Sequence, residues 1–573
     1  MGIEHSHLIE LYKNDLVLKV EAGEIIPEGI ISTPDGKFEG VRLMFNNQPF
    51  IVNLSALSGT TNNLYALLLK DGVSLKRGET KGFVDYIAKC ISPASKALLS
   101  NYIVPTRNGF LDAELVYVQG YRVYRNKDQK KQDEVLPSEL RDPMRERFEK
   151  KGCKEAYYNV ILNKLTPDFI VLVVLVALSG CLLKFVNIDG GGFHIFGPSG
   201  VGKTILLKIA ASVMGSSSSP DQGSQEPCYM MSWGATKNGI EAKFNLFNDG
   251  LLILDELGKY TSKNFGADVY AIAGGAYTMR MNSSLESVDL KPANFMLLSS
   301  GELSMQEMLR RLKEPLLGQG KSVRMPGIPL ESSDLNCPEL YSDSEAASKA
   351  FEDAINDNCG FLFEDFIKKL LNHKQSYDEL RVDVKARFES VLAEMNKRLP
   401  NKGSIESRVL KRFALMAVAG QLAYEFGVLP WNDEKVMEAL SFVYKRYHSY
   451  EPNRLSDAEI AFRQIKRKLQ SEQGNFVRVK STTVPNKHYG YISDTHYYIY
   501  TEVFKGWLMS ANESDVIQLL INNKLLKSEA GRNTLRTTEH LSKRGNVRGA
   551  SCHNQRRETF YCIDRDIVSL ELD

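Results

Sequence analysis

A glycine-rich segment near the middle of the chain carries the clearest chemical pattern. GPSGVGKT at 197–204 fits the spacing G-x-x-x-x-G-K-[ST] in full. Glycines there let backbone N–H groups surround a phosphate, and the N-terminus of a following helix adds positive potential. Lys203 is expected at the β- and γ-phosphates of ATP, and Thr204 at a Mg²⁺ ion. The residues predicted to bind this cofactor are Gly197, Pro198, Ser199, Gly200, Val201, Gly202, Lys203 and Thr204.

An acidic pair follows a second apolar run. LLILDE at 251–256 is four apolar residues ending in Asp255 and Glu256. A buried strand that ends in this way would place Asp255 near the Mg²⁺ ion and Glu256 beside an attacking water. Such a pair is common by itself, but after a complete phosphate-loop pattern it predicts an ATP hydrolase.

A third apolar run, ANFMLLSSGE at 293–302, ends in small polar residues. ATPases of the AAA+ class carry a polar sensor at the end of the corresponding strand, so Ser299 and Ser300 are candidates for orienting a water. A serine that simply caps the end of a strand fits the same pattern, and the sequence leaves both interpretations open.

Three arginines are candidates for acting on a neighbouring subunit. An oligomeric ATPase neutralises transition-state charge with an arginine that reaches its neighbour's γ-phosphate. Arg310 and Arg311 lie in the helical pattern LSMQEMLRRLKE, and Arg324 lies in KSVRMPGIPLE, the next expected strand. Each of them could instead be a solvated or salt-bridged arginine.

The elements around these residues must present them on one edge of a sheet. A short apolar strand, GFHIF at 192–196, precedes the glycine loop, and an apolar helix, ILLKIAASVMG at 205–215, follows it. Apolar runs alternate with helical segments from 159 to about 330, which predicts an α/β layer. The apolar run at 169–186 is interrupted by Ser179-Gly180, and it predicts a buried helix and not a membrane span.

Composition places the chain among ordinary globular proteins. Its 573 residues include 43% apolar and 25% charged residues, which excludes a mostly disordered chain. The net charge of +2 indicates no partner by itself, so attraction to nucleic acid must come from local patches. The eight cysteines form no CxxC pair, which argues against a zinc site or a disulfide framework. No signal peptide is visible, and a cytoplasmic protein is expected.

Changes of pattern divide the chain into four regions. Residues 1–150 alternate short strands with turns and predict a mixed α+β domain. Residues 151–335 are expected to form the ATPase core, and residues 336–452 a helical lid. Residues 453–573 combine a helix, β-like runs and a second helix, an order typical of a winged-helix domain. The predicted fold class is therefore α/β, an AAA+ P-loop ATPase core with a helical lid, an N-terminal α+β domain and a C-terminal winged-helix domain.

The last region is locally basic although the whole chain is nearly neutral. Residues 521–560 hold nine Lys and Arg against three Glu. Clustered charge close to several tyrosines is typical of a surface that binds the DNA backbone. A basic face used for contacts between subunits stays open as the alternative. The residues expected on phosphates, within a predicted wing at 541–564, are Lys543, Arg544, Arg548, Arg556 and Arg557.

Four blocks of sequence carry a resemblance to a known family. They are WGATKNGIEAKFNLFNDGLLILDELG (233–258), NFMLLSSGELS (294–304), GQGKSVRMPGIP (318–329) and RFALMAVAGQLAYEFG (412–427). In content and order they resemble domain-of-unknown-function family 927, which occurs in phages, plasmids and integrated cassettes. Some of its members, including the cassette-encoded helicases of staphylococci, are similar to MCM-like replicative helicases.

The resemblance implies a hexameric AAA+ ring with a helical lid. Arg408 or Arg412 would then sense nucleotide from the lid, and Arg280 would lie on a hairpin that contacts DNA in a central pore. An ordinary surface arginine is an equal alternative for Arg280. The chain departs from the MCM pattern in having serine at the sensor position and no SRF-type arginine-finger block. The second departure leaves the arginine that acts in trans unassigned.

The function expected from these features is an ATP-dependent DNA helicase or translocase, a hexameric ring that serves replication of a mobile genetic element. The expected partners are single-stranded or forked DNA, other copies of the chain and replication proteins of the same element, with no membrane. Two alternatives stay open. One is a nucleotide-switched helicase loader or replication initiator, and the other is an ATPase subunit of an antiphage defence system.

Overall fold

The computed structural model describes residues 16–20, 22–34, 37–57, 61–70, 72–73, 75–76, 79–111, 114–120, 122–127, 134–135, 147–163, 166–218, 228–262, 264–276, 292–314, 324–336, 338–399, 404–450, 457–479, 485–508, 511–528, 532–536 and 559–569. Contacts divide the chain into two compact units. The first comprises residues 1–305 and 324–448, and the second comprises residues 306–323 and 449–573.

The strands are β1 (Leu18–Val20), β2 (Gly23–Ser32), β3 (Phe38–Phe45), β4 (Gln48–Asn53), β5 (Ser100–Ile103), β6 (Gly109–Phe110), β7 (Val116–Gln119), β8 (Arg122–Arg125), β9 (Glu134–Val135), β10 (Gly191–Phe196), β11 (Met231–Ser232), β12 (Leu251–Asp255), β13 (Met296–Gly301), β14 (Gly327–Pro329), β15 (Phe476–Arg478), β16 (Gly490–Ile492), β17 (His496–Tyr500), β18 (Leu526–Lys527), β19 (Leu535–Arg536) and β20 (Thr559–Asp564).

The α-helices are α1 (Leu54–Leu57), α2 (Thr61–Lys70), α3 (Glu79–Cys90), α4 (Pro93–Lys96), α5 (Lys154–Ile161), α6 (Asp168–Ser179), α7 (Leu183–Val186), α8 (Lys203–Met214), α9 (Lys237–Glu241), α10 (Phe244–Phe247), α11 (Phe265–Ala273), α12 (Met305–Leu312), α13 (Ser344–Asp357), α14 (Leu362–Leu371), α15 (Tyr377–Arg398), α16 (Ser404–Glu425), α17 (Asp433–Tyr450), α18 (Asp457–Ser471), α19 (Thr501–Trp507) and α20 (Glu513–Asn522). Short 3-10 turns cover Gly180–Leu182, Leu257–Lys259, Ser332–Leu335, Gln473–Asn475 and Arg565–Val568.

A parallel sheet forms the centre of the first unit. Its order is β11-β12-β13-β10-β14, and each of its strand pairs is parallel. Every residue of β10, β12 and β13 is buried, as expected for parallel strands with both faces covered. Because the strands run in one direction, their carboxyl ends meet at one edge. The α/β layer predicted from the sequence is confirmed.

The N-terminal part of the first unit forms a separate sheet. Its order is β4-β3-β2-β5-β9, with β1 paired to β2. Asn46 and Asn47 join β3 to β4 with φ of 49° and 64°, the left-handed values that a two-residue hairpin turn needs and asparagine tolerates. Phe83 and Ile87 of α3 are fully buried in the same apolar cluster as Val41 of β3. The strands predicted for this region are confirmed, and Asn46 and Asn47 form the turn between two of them.

A small antiparallel sheet, β6-β7-β8, lies against the parallel-sheet body. The Tyr117 hydroxyl donates a hydrogen bond to the carbonyl oxygen of Asp249 at 2.8 Å. Arg122 forms an ion pair with Glu364, with 3.2 Å between its Nη1 and the carboxylate. These contacts tie the small sheet to the body that the sequence assigns to the next domain.

The most apolar helical stretch of the described residues is enclosed by the protein. α6 continues through a 3-10 turn into α7, and this stretch, Asp168–Val186, is long and apolar enough to cross a membrane. However, 89% of its most apolar window is buried within the protein. α6 lies against α8 and α16. It is therefore the core helix that the sequence predicts.

The helices α13 to α17 occupy the region that follows the last parallel strand. α15 and α16 have 22 residues each and pack against one another. Gly427 has a φ of 63° two residues beyond the end of α16, a left-handed conformation typical of a glycine that terminates a helix. The helical content predicted for this region is confirmed.

The second unit contains the C-terminal sheet, with the order β15-β16-β17-β20-β18 and β19 paired to β20. Its core includes Phe462 of α18, Tyr497 of β17 and Phe504 of α19. The sequence suggests a strand over 496–504, but β17 ends at Tyr500 and α19 follows. The alternation of aromatic residues stops at Tyr500, and the later apolar residues have helical spacing.

Gly180→Ala should destabilise the first unit. A Cβ at Gly180 would lie 2.0 Å from the carbonyl oxygen of Gly250, so the turn after α6 and the residue before β12 would have to separate, at a cost of about 2 kcal/mol. Urea unfolding measures this loss. The control is Gly82→Ala on α3, where a Cβ meets nothing within 4 Å, and alanine there should be neutral or stabilise by about 0.5 kcal/mol. Equal midpoints for Gly180→Ala and the wild type would contradict this packing.

Candidate nucleotide site at the carboxyl edge of the parallel sheet

The glycine loop joins β10 to α8 at the carboxyl edge of the sheet. Gly200 and Gly202 have φ of 83° and 94°, a region that residues with a Cβ rarely adopt. A Cβ at Gly202 would also lie 2.2 Å from Cδ1 of Leu335. The loop therefore needs glycine at these positions, both for its backbone path and for its close approach to the segment after β14.

Lys203, the first residue of α8, folds back over this loop. Its ammonium donates hydrogen bonds to the carbonyl oxygens of Gly197 at 2.8 Å and Pro198 at 2.6 Å. Burial lowers the pKa of Lys203, and the nearby carboxylates of Glu302 and Glu256 oppose that shift. The ammonium thus lies between the loop and an acidic wall.

The acidic pair lies at the end of β12, and its two residues have different surroundings. Asp255 is buried, and its carboxylate accepts hydrogen bonds from the Ser300 hydroxyl and from the Glu256 N–H. Glu256 adopts a left-handed backbone with φ of 62°. This turn directs the chain away from the strand directly after Asp255. The carboxylate of Asp255 is consequently fixed by two donors.

A cavity of about 550 Å³ opens at this edge. Its walls bring together Lys203, Thr204, Glu256 and Ser300 of the residues predicted from the sequence. The lining residues are Ser199, Gly200, Val201, Gly202, Lys203, Thr204, Ile205, Glu256, Ser300, Glu302, Ser332, Leu335, Glu345 and Ser348.

Four polar wall residues were not predicted from the sequence, because each lies beyond the end of a strand. Glu302 follows the end of β13 directly, so the rule that strand ends meet at one edge could have found it. Ser332 lies in the turn after β14, while Glu345 and Ser348 lie one helical turn apart on α13. These last three carry no local signal in the sequence.

Ser299 and Ser300 point to opposite sides of β13. Ser300 lines the cavity, whereas the Ser299 hydroxyl accepts a hydrogen bond from Nε1 of Trp233 at 2.8 Å and lies 2.9 Å from Nδ1 of His194. Successive side chains of a strand alternate between its faces. Only Ser300 is therefore placed to contact a ligand, and Ser299 belongs to an internal network.

His194 completes that network within β10. Its Nε2 lies 2.9 Å from the carbonyl oxygen of Leu303, which can only accept, so Nε2 carries the proton and Nδ1 accepts from Ser299. Burial lowers the pKa of His194 to about 4. The ring is therefore neutral at neutral pH. The chain of donors runs from Trp233 through Ser299 and His194 to Leu303.

Arg324 and Arg412 lie at the opposite end of β10. Nη1 of Arg412 donates to the carbonyl oxygen of Arg324 at 3.3 Å, and the same oxygen accepts from the Gly192 N–H at 2.8 Å. A Cβ on Gly191 would lie 2.3 Å from that guanidinium. The length of β10, about 16 Å at 3.3 Å per residue, separates both arginines from the glycine loop of the same chain.

The side chains of Arg324 and Arg412 contact other residues of the same chain. Burial lowers the pKa of Arg412 to about 10, and the Arg324 guanidinium lies 4.2 Å from the ring centre of Tyr270. Arg408 lies one turn before Arg412 on α16 and is exposed. None of the three is among the cavity-lining residues described above. The fold gives Arg324 and Arg412 partners within the chain.

The remaining predicted positions divide into exposed residues and residues beyond the described part of the chain. Arg310 and Arg311 lie on α12 and are exposed. The positions outside the described residues are Arg280, Lys543, Arg544, Arg548, Arg556 and Arg557.

The fold and the cavity define a class of protein, a parallel α/β protein with a strand–glycine loop–helix unit at the carboxyl edge of its sheet. Residues 25–284 match the family described as Domain of unknown function (DUF927). The match covers just under half of the chain and includes the first of the four sequence blocks, 233–258, so the resemblance to this family is confirmed.

Solved structures give a second comparison. The chain is similar to a structure described as the SCCmec type IV Cch active helicase, with 19% identity, a TM-score of 0.62 and 95% of each chain covered. The two chains therefore share a fold over almost their whole length. The apo C-terminal region of NrS-1 also matches, at 11% identity over 74% of this chain and 91% of that one, but its TM-score is 0.23. No curated protein matches the sequence.

His194→Phe should reduce the pH dependence of stability. Between the ordinary pKa of 6.5 and the folded value of about 4, the unfolded chain binds a proton that the folded chain does not. Stability therefore falls as pH drops through this window, by about 3 kcal/mol at its lower end. Urea midpoints at pH 7 and 4.5 test this, and the wild type should lose more than the variant. Parallel losses would show that His194 does not titrate in this way.

Proposed function

We propose that this protein is an AAA+ ATPase that works as an ATP-dependent DNA helicase or translocase in the replication of a mobile genetic element. The observation that carries the proposal is the cavity where Lys203, Thr204, Glu256 and Ser300 meet. Ligand sites of open α/β sheets lie outside the carboxyl ends of the strands, and this cavity has that position. The helicase fold shared over 95% of the chain supports the same conclusion.

Each cavity residue has a role in this proposal. The loop N–H groups and Lys203 bind the β- and γ-phosphates of ATP, because an ammonium and backbone donors match phosphate charge. Glu256 accepts a proton from the water that attacks the γ-phosphate. Ser300 holds Asp255 through its hydroxyl, so its contribution is to fix the carboxylate that serves the metal.

The residues present fit a Mg²⁺ ion that binds together with nucleotide. Mg²⁺ prefers oxygen ligands, keeps several waters and usually takes only one or two protein groups besides phosphates. Thr204 contributes a hydroxyl on the cavity wall, and Asp255 contributes a carboxylate hydrogen-bonded to that wall. Among the described residues no group of three or more His, Cys, Asp or Glu could hold a metal alone, which agrees with a metal brought by its nucleotide. The ion supplies charge neutralisation at the phosphates.

A ring of subunits, proposed as a hexamer, would complete the site with an arginine from a neighbour. Arg310 and Arg311 are exposed on α12, as an arginine that acts on another subunit must be. Arg324 contacts Tyr270 and the start of β10 within its own chain. The exposed pair on α12 is therefore the better candidate for the arginine in trans.

DNA contacts are proposed for the C-terminal unit and for Arg280. The C-terminal unit combines α18, α19 and α20 with a sheet whose strand pairs are antiparallel except for β15 and β16, an arrangement compatible with the proposed winged helix. The basic residues between 541 and 558 would bind DNA phosphates without reading sequence. Arg280 would contact the strand that is threaded through the ring.

Lys203→Ala should abolish ATP hydrolysis and strand displacement, because it removes the ammonium that binds the β- and γ-phosphates. Glu256→Gln should keep nucleotide binding but reduce hydrolysis by about 100-fold or more. The assay is displacement of a labelled strand from a forked DNA in the presence of Mg²⁺ and ATP, measured beside phosphate release.

Strand displacement and phosphate release together distinguish a helicase from the two alternative functions. ATP hydrolysis that releases no strand from forks of either polarity would contradict the helicase and favour a loader or initiator. Hydrolysis that requires an additional protein encoded beside this chain would favour the defence ATPase. Wild-type protein that neither binds nor hydrolyses ATP would remove the proposal altogether.

Replacing Arg556 and Arg557 together by alanine should weaken DNA binding uniformly across sequences. Each lost phosphate contact reduces the slope of log affinity against log salt by about 0.9, so the double variant should lose close to two. Fluorescence anisotropy with a labelled fork at several salt concentrations measures this slope. The matched control removes two exposed cations of α15, Lys385 and Lys397, and should keep the wild-type slope. An unchanged slope in the Arg556 and Arg557 variant would place DNA elsewhere.

A further inference from the structure

Glu302 is an exposed carboxylate on the cavity wall to which the sequence analysis assigns no role. It follows Gly301, the last residue of β13, and so lies at the end of the strand between the glycine loop and the acidic pair. Glu302 and Glu256 both oppose the lowering of the Lys203 pKa, and the effect of Glu302 is the larger one. A second carboxylate therefore faces the phosphate-binding end of the cavity.

The backbone on both sides of Glu302 is clamped to the glycine-loop strand. The Gly197 N–H donates to the carbonyl oxygen of Gly301 at 3.3 Å. On the other side, Nε2 of His194 donates to the carbonyl oxygen of Leu303 at 2.9 Å. An exposed side chain at the end of a strand would ordinarily be free to shift with its loop. Here, one hydrogen bond holds the peptide unit between Gly301 and Glu302, and the other holds the carbonyl group of the next residue, Leu303.

The second clamp explains why the sheet contains a buried histidine. A buried polar group is costly unless its hydrogen bonds are made. The His194 ring is held at Nδ1 by the Ser299 hydroxyl, which in turn accepts from Trp233. The last acceptor in this hydrogen-bond network is the carbonyl oxygen of Leu303. The network therefore holds Leu303 in place, and with it the neighbouring Glu302. The network acts as a support for that carboxylate.

We propose that Glu302 is a second catalytic carboxylate, which orients the attacking water together with Glu256, and that His194 is its positioning residue. This inference rests on the proposed ATP hydrolysis. Water held by one acceptor can rotate, whereas two acceptors fix both of its protons and direct a lone pair at phosphorus. Glu256 and Glu302 line the same cavity with Lys203 and Thr204, which is the arrangement this role requires.

The proposed step balances in atoms and charge. The water oxygen forms a bond to the γ-phosphorus while the bond from that phosphorus to the β–γ bridging oxygen breaks. The bonding electron pair leaves on the β-phosphate of ADP. One water proton passes to the Glu256 carboxylate and later to solvent, while Glu302 accepts a hydrogen bond from the other proton, which stays on the inorganic phosphate.

The test compares Glu302→Gln with wild-type protein in two measurements. One is steady-state ATP hydrolysis by the full chain with forked DNA, and the other is binding of a fluorescent ATP analogue. Glu302→Gln should lower kcat at least tenfold while analogue affinity stays within threefold, because water orientation is lost and phosphate contacts remain. The control Glu434→Gln removes an exposed carboxylate at the start of α17 and should match wild type in both.

A variant that binds the analogue more tightly but turns over at the wild-type rate would overturn the inference. Glu302 would then act only by charge repulsion. Wild-type kcat and wild-type affinity in Glu302→Gln would overturn the inference as well. Lys203→Ala tests the proposed ATP hydrolysis separately, so the two failures can be distinguished. If Glu302→Gln is impaired because it folds poorly, Glu302→Asp decides. Aspartate keeps the negative charge but is one methylene shorter, so its carboxylate lies farther from the water. A kcat between those of Glu302→Gln and the wild type supports water orientation by Glu302, and a wild-type kcat contradicts it.

The positioning role of His194 has its own readout. His194→Gln keeps a donor near the position of Nε2, whereas His194→Phe keeps the ring shape and loses the donor. A fall in kcat for His194→Phe with unchanged analogue affinity, restored at least in part by glutamine, supports the clamp. Equal kcat values for both variants and wild type would show that Glu302 needs no support from this network.

Discussion

The pairing of β13 with both β10 and β12 is the constraint on which the cavity depends. β10 ends in the glycine loop and β12 ends in the acidic pair, and the two strands are not neighbours. Six residues of β13 pair with β10, and four of them also pair with β12. This register places the ends of β10 and β12 level with Ser300, so that the phosphate-binding and acidic groups face the same cavity. A slip of one residue would exchange Ser299 and Ser300 between the two faces.

Polar groups buried inside the sheet are tolerated because they satisfy one another. On one face of β13, Ser300 donates to Asp255, and on the other, Ser299 connects Trp233 to His194. Each group alone would be destabilising at these depths, whereas the connected sets lose little on burial and have few alternative arrangements. Burial of the apolar strand residues stabilises the sheet, and these two hydrogen-bonded sets align the strand ends.

Sequence reasoning reached the parts of the site that are encoded locally. The loop pattern, the acidic pair and their flanking apolar runs each occupy a few consecutive residues, and period and spacing sufficed for them. The choice between Ser299 and Ser300 was out of reach because both faces of β13 are buried, so neither face carries a polar pattern. The position of Arg412 could not be predicted either, because it depends on contacts between residues distant in sequence. Its place beside β10 is set by how α16 packs against α6, which no local spacing encodes. Glu345 and Ser348 likewise reach the cavity only through the path of α13.

The glycines at the start of β10 have a mechanical consequence. A Cβ at Gly192 would lie 1.6 Å from the carbonyl oxygen of Leu297, and one at Gly191 would meet the guanidinium of Arg412. These glycines are therefore sites of tight contact and not points of flexibility. They attach the tail of β10 to α16, while the head of the same strand carries the glycine loop. Because β10 is hydrogen-bonded to a neighbouring strand along both edges, the contact with α16 and the glycine loop lie at the two ends of one rigid element.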